Sequence, residues 1–314
     1  MKVFLTGASG FIGSQVARLL VRRGDEVHVL LRRGSDRSRI EDLGPTLRVI
    51  EGDLTQTEAL GDSLAAVRPD VALLFGWYAE PGKYLHAPEN VSLLHGNIDL
   101  AARLARTGCR KIVAAGTCFE YDTNLGFLSE STPSAPRNLY AASKLSCHLI
   151  LEQLLAGLET KLAWVRLFYQ YGPHEHPARI VPSVMLSLLQ GQKAKVTPGE
   201  QIRDFLHVED VARAVVAVAD SELTGPVNIG SGRPVSIREI VQRIGALTGR
   251  PDLIGLGEIP YSPGDPRFIC ADNRKLREGT GWSPTIALDD GLQSTLEWWR
   301  TTLPTRRGAP SGSR

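Results

Sequence analysis

The chain has 314 residues, 42% hydrophobic and 22% charged, with a formal net charge of +2. That length can bury a full core, and so small a charge gives no footprint for nucleic acid or for an anionic membrane surface. No stretch approaches the roughly 18 unbroken apolar residues of a membrane helix, and MKVFLTG at the start reads as a buried strand rather than a signal peptide.

Strands are expected at 3–6, 26–31, 47–53, 71–75 and 111–116, with 162–168 closing the set. A helix is expected over about 10–23, and apolar residues at helical spacing mark 58–67, 90–107 and 139–155. Alternation of this kind means right-handed βαβ units and a parallel sheet covered on both faces. After about Phe168 turn-rich pieces separate the helices, and Ser236 with Glu239 reads as a capping box opening a helix to about Leu247. The expected architecture is α/β, a Rossmann-type doubly wound parallel sheet over 1–168 with a smaller C-terminal substrate-binding α/β domain over 169–300. Segments at about 204–232 return to the first domain, and 301–314, rich in Pro, Gly, Ser and Arg, reads as a disordered tail.

TGASGFIG places Gly7, Gly10 and Gly13 at three-residue spacing between a strand and a helix. Glycine there allows the tight turn and lets backbone approach a pyrophosphate, which the free N–H groups of the helix start would face. Gly7, Ser9, Gly10, Phe11, Ile12 and Gly13 are therefore cofactor-binding candidates. A lone triplet often marks a bare turn; this one has the strand before it and the helix after it that the fingerprint needs. Where an NAD site carries an acid for the ribose 2′-hydroxyl, the second strand ends in Arg32 and Arg33. A guanidinium fork suits a 2′-phosphate, so NADP(H) is the expected cofactor, and a solvated basic turn is the other reading.

Tyr140 and Lys144 stand four residues apart, on one face of a helix. A nearby ammonium favours the phenolate and draws a tyrosine down from its usual value of about 10. The phenol can then relay a proton to or from a substrate oxygen while hydride moves at the attached carbon. Lys144 would also hold the nicotinamide ribose. Such pairs occur by chance in surface helices, so the pair alone is weak.

The glycine triplet, Thr117 after the fifth strand and the Tyr140/Lys144 pair come in the order of a known family. Over about residues 1–300 the chain resembles the extended short-chain dehydrogenases/reductases, the family of nucleotide-sugar epimerases, dehydratases and reductases. Asn97 in HGNIDLAARLA, RLFYQYGP, RDFLHVED, VNIGSG and PGDPRFICADNRKLREGTGW add to the resemblance. It implies a catalytic trio of Thr117, Tyr140 and Lys144, with Thr117 on the reacting sugar oxygen. It also implies Asp53 and Leu54 against the adenine and Arg203 on the substrate diphosphate. A homodimer is implied too, because in that family the helices matching 90–106 and 139–155 pack against their copies as a four-helix bundle.

Departures from the pattern carry the finer information. The dehydratase branch has an acidic pair directly after the Thr; here Cys118 and Phe119 stand there, and Glu120 comes one place late, expected on the opposite face of a strand. Dehydration is therefore disfavoured. Cys118 is either an offset proton donor or a small packing residue. With Cys109, Cys147 and Cys270 it shares no metal-ligand spacing, so no metal is expected and reduced thiols in a cytoplasm are. The family's Asn before YGP is Tyr169-Gln170 here, and its Arg ahead of PGD is Ser262. Both places touch the diphosphate or its neighbour in the family, so Arg179, Lys193 and Arg267 become candidates for holding the nucleotide. His174 and His176 fall either at the sugar pocket or in solvent. The expected function is NADPH-dependent reduction of a keto group, at C4, on a nucleotide-linked 4-keto-6-deoxyhexose. The alternative is a nucleotide-sugar 4-epimerase with tightly bound NAD. A third reading, a non-catalytic NADP(H)-binding sensor or scaffold, would show a broken trio.

Overall fold

Residues 1–303 are described by a computed structural model. They begin β1 (Lys2–Thr6), α1 (Phe11–Arg23), β2 (Glu26–Leu31), β3 (Leu47–Glu51), α2 (Gly61–Val67) and β4 (Val71–Leu74). Next come α3 (Glu89–Arg106), β5 (Lys111–Thr117), β6 (Phe127–Leu128), α4 (Leu139–Ala156) and β7 (Lys161–Leu167). The second half runs β8 (Tyr169–Tyr171), α5 (Ile180–Leu189), β9 (Ala194–Val196), β10 (Ile202–His207), α6 (Val208–Asp220) and β11 (Gly225–Ile229). It ends with β12 (Pro234–Ser236), α7 (Ile237–Thr248), β13 (Ile254–Leu256), β14 (Cys270–Ala271), α8 (Arg274–Thr280) and α9 (Leu288–Thr302).

Seven parallel strands form one sheet in the order β11-β7-β5-β4-β1-β2-β3. The strands read as continuous apolar runs because both faces are covered. In β1 the pleat sends Val3 and Leu5 to one face and Phe4 to the other. On the first face α1 and α6 bury Val16, Leu20, Val211 and Val215; on the second α3 and α4 bury Leu100, Leu104, Leu151 and Leu155. Each such side chain contributes about 1.5–3 kcal/mol. The strand order reverses beside β1, and ligands of doubly wound sheets bind at the carboxyl ends there.

Residues 161–167 do not close the set. After the α6 crossover β11 adds a seventh strand outside β7, which its five residues and turn-rich surroundings do not announce. The smaller unit gathers α5, α7 and α9 around Met185, Leu188, Ile240, Ile244, Leu292 and Leu296. β10 belongs to it by pairing with β8 and β12, so the returning segment starts with α6. Leu276 and Trp282 also return to the core of the large sheet. Ser236 caps α7 by accepting the Glu239 N–H at 3.1 Å. The expected disordered tail is corrected at its start, because the amphipathic α9 runs on through Thr302; 304–314 lie outside the described residues.

α4 is apolar nearly all round. Its inner side buries Cys147, Leu151 and Leu155, while Leu149, Ile150 and Leu154 stay 51%, 44% and 38% exposed. A helix with one buried stripe would carry polar residues there. Among the described residues no helix is long and apolar enough to cross a membrane.

Candidate active site

β1 ends at Thr6 and the chain turns at Gly7, whose φ of 75° suits glycine. A Cβ on Gly7 would lie 2.6 Å from the Phe75 carbonyl oxygen, and one on Gly13 would run into the Gly7 carbonyl. α1 then starts with no side-chain cap and no acid in its first turn. The N–H groups of Phe11, Ile12 and Gly13 and the positive helix end are left for an anion. At the ends of β2 and β3, Arg32, Arg33, Glu51 and Asp53 line a cleft of about 420 Å³. Among the described residues the ion pairs of this region use Arg18, Arg23 and Arg48 and leave Arg32 and Arg33 out. Asp53 is turned onto Thr55, accepting from its N–H and its hydroxyl at 2.8 Å each. Leu54 is buried with its carbonyl against Gly96. These residues fit a dinucleotide, with the glycine turn and helix start for a pyrophosphate and two free guanidinium groups at the adenosine end.

β5 carries Thr117 to its carboxyl end, and Cys118–Glu120 then form a 3₁₀ turn instead of continuing the strand. This corrects the expectation for Glu120. Its carboxylate folds back to accept the Thr117 N–H at 2.8 Å and the Trp164 indole N–H at 3.0 Å, and pairs with Arg166 Nε at 2.7 Å. It is fully buried, with these partners taking up its oxygens. The Thr117 hydroxyl accepts the Phe119 N–H at 3.3 Å, which fixes its rotamer.

Asn138 caps α4 by accepting the Ala141 N–H at 2.9 Å, placing Tyr140 in the first turn and Lys144 one turn deeper. The structure brings the three together: the Thr117 side chain is near enough to the Tyr140 phenol to favour its charged form, and the Lys144 Nζ lies 6.0 Å from the phenol ring centroid. Burial, then the neighbouring Tyr84 phenol, push Tyr140 well above its ordinary value. The lowering by Lys144 read from spacing is not found, because the ammonium is turned to the Ala115 carbonyl at 2.7 Å. Lys144 itself is drawn down to about 7 by burial. Tyr140 is thus a protonated phenol at neutral pH.

On the substrate side, Cys118 packs among Tyr121, Phe168 and Ile269, and burial raises its thiol to about 12; packing is its role here. The buried Arg203 pairs with Asp265 at 2.6 Å, and its guanidinium stands 5.4 Å from the Tyr169 ring. Arg179 lies 5.3 Å from the centroid of the Tyr84 ring, which meets Tyr140 edge-on at 4.9 Å. Lys193 and Arg267 have partners of their own, Glu258 for the first and Glu200, at 3.6 Å, for the second. His174 takes a φ of 68° and packs on Trp298 at 4.4 Å; His176 is exposed. Asn97 serves the frame, donating to the Leu93 carbonyl at 2.8 Å. Sequence reasoning missed Trp77 and Tyr84. Their signal was two aromatic residues in the loop after the fourth strand, at its carboxyl end.

Fold and site define a dinucleotide-binding protein of the Rossmann type with a Thr, Tyr and Lys gathered at the carboxyl ends of its strands. The profile of the NAD dependent epimerase/dehydratase family matches residues 3–230, and the chain belongs to that family of nucleotide-sugar enzymes. It is 27% identical to UDP-glucuronic acid decarboxylase 1 of Xenopus tropicalis, over 96% of this chain and 73% of that protein. To UDP-glucose 4-epimerase of Mycolicibacterium smegmatis it is 28% identical, over 96% and 99%. The structure of MoeE5 in complex with UDP-glucose and NAD aligns with a TM-score of 0.80 at 29% identity, covering 97% of this chain and all of that one.

Replacing Glu120 by Gln leaves Arg166 buried without its counter-charge. The expected cost is about 3–5 kcal/mol, the usual penalty for breaking a buried pair, read as a fall in the denaturant midpoint with the slope unchanged.

Proposed function

We propose that the chain is an NADP(H)-dependent ketoreductase of a nucleotide-linked hexose, acting at C4 of a 4-keto-6-deoxy sugar. The observation that carries this reading is the pair of guanidinium groups, Arg32 and Arg33, in the cleft at the end of β2, which make no ion pair among the described residues. A 2′-phosphate is the ligand chemistry that two forked cations favour, and NADPH serves net reduction. When bound, the nicotinamide supplies hydride to the carbonyl carbon. Tyr140 gives its proton to the carbonyl oxygen as charge develops there, and the Thr117 hydroxyl donates to the same oxygen. Lys144 holds the cofactor ribose. Glu120 is committed to Arg166, which leaves no acid beside Thr117 to strip a second proton and agrees with reduction rather than dehydration. The Phe119 and Tyr169 rings, 6.3 Å apart, offer an apolar wall for a C6 methyl group. Thr117, Tyr169, His174, Arg179 and Arg203 are assigned to the proposed sugar and diphosphate side. Uridine diphosphate is the first carrier to try, given the relatives' names.

The second reading is a nucleotide-sugar 4-epimerase with retained NAD, favoured by the relative of that name aligned over nearly both full lengths. It uses the same trio, so stoichiometry separates the two. A scaffold is disfavoured by the intact trio. The exposed apolar side of α4 supports an isologous homodimer, and the four free cysteines accord with a cytoplasmic setting.

Four outcomes are expected. NADP(H) binds more tightly than NAD(H) in calorimetry, and replacing Arg32 and Arg33 together by Ala abolishes the difference; equal native affinities would refute the cofactor assignment. With NADPH and a panel of UDP-, TDP-, GDP- and CDP-linked 4-keto-6-deoxy sugars, reduced nicotinamide falls in proportion to product, whereas an epimerase shows no net change. Tyr140→Phe keeps the NADPH affinity and loses roughly 10²–10⁴ in turnover. Light scattering at micromolar concentration gives twice the chain mass, and a monomer would rule out the α4 interface.

A further inference from the structure

The loop after β4 places Trp77 where its indole is fixed from behind and used in front. The indole N–H donates to Asn90 Oδ1 at 2.8 Å, and Asn90, fully buried, spends its own N–H groups on the carbonyls of Tyr84 at 2.7 Å and Ala87 at 2.9 Å. The amide cannot turn without breaking these bonds, so the ring plane is set. Against that ring lies the Lys144 Nζ, 3.7 Å from its centroid. The ammonium has one other close partner, the Ala115 carbonyl at 2.7 Å. Among the described residues it makes no ion pair. The charged and titratable groups around it are Glu120, already paired with Arg166, Cys147 and the Tyr140 phenol.

We propose that Trp77 is a positioning residue for Lys144, its indole face holding the ammonium charged in a dry site at the end of β5. This rests on Lys144 being the lysine of the proposed reaction. The physical reason is the electron-rich face of the indole, the best of the aromatic faces for a desolvated cation. Burial favours the neutral amine and has already drawn Lys144 to about 7. A lysine with a depressed value is cationic only below it, so any further fall would leave a neutral amine at working pH. That amine would lose its charge-assisted grip on the ribose.

The test needs no substrate. The ε-carbon signal of Lys144 is followed by NMR against pH in the full chain carrying ¹³C-labelled lysine, and assigned by its loss in Lys144→Met. Trp77→Leu is expected to lower the Lys144 value by about one unit, and Trp77→Phe to restore most of it. A chain grown with 5-fluorotryptophan, which keeps the shape and weakens the π face, is expected to show a smaller fall, with the other lysines unmoved. This last arm decides the matter should Trp77→Leu fail to fold. An unchanged value in the fluorinated chain overturns the proposal. A rise in Trp77→Leu also overturns it, since the indole would then act only by excluding water. Either result leaves the ketoreductase reading standing, and a chain inactive on every ketosugar still yields the Lys144 value.

Discussion

The buried Glu120 carboxylate is the interaction on which the rest of the site depends. It ties the turn after β5 to the Trp164 indole and the Arg166 guanidinium of β7. From Arg166 the contacts pass to the Tyr121 ring at 4.2 Å, and the Tyr121 hydroxyl donates to Asn228 of β11 at 2.7 Å. Three adjacent strands are thereby locked in register at their carboxyl ends, where Thr117 must meet Tyr140. A buried ion pair adds little net stability against an apolar replacement, but removing one partner is costly. Its value here lies in geometry.

Around that frame the site holds more cations than anions. Among the described residues Arg32 and Arg33 make no ion pair in the cleft they share with Glu51 and Asp53, and Lys144 and Arg179 face aromatic rings. Glu175, near Arg179, is raised to about 8 by burial and so is neutral at pH 7. Such a surplus suits a cofactor and a substrate that both bring phosphates. Arg203 is the exception. It is paired with the Asp265 carboxylate at 2.6 Å.

The two units are joined by one cation as well as by chain crossings. Arg39 donates to the Ser9 carbonyl of the glycine turn at 3.3 Å and to the His174 carbonyl at 2.9 and 3.1 Å. The glycine turn and the loop leading to Arg179 are therefore held by the same guanidinium, with His174 in the left-handed region.

The sequence by itself determined the features whose cause is local. Short apolar, β-branched runs and helical spacing marked the βαβ units, three glycines in eight residues marked the turn between β1 and α1, and four-residue spacing put Tyr140 and Lys144 on one helix face. Each depends on backbone geometry within a turn or two, which a short window contains. Tertiary structure decided what depends on distant partners. Glu120 became a structural anion because Arg166 lies 46 residues away in sequence and beside it in space. Arg203 met Asp265 across 62 residues, and β11 joined the sheet after a crossover. The phenol of Tyr140 keeps its proton because it is buried beside the Tyr84 phenol, with Lys144 turned to Ala115 and Trp77 instead. Spacing fixes which face a side chain shares; it does not fix which buried group lies opposite, and in a low-dielectric interior that neighbour sets the charge.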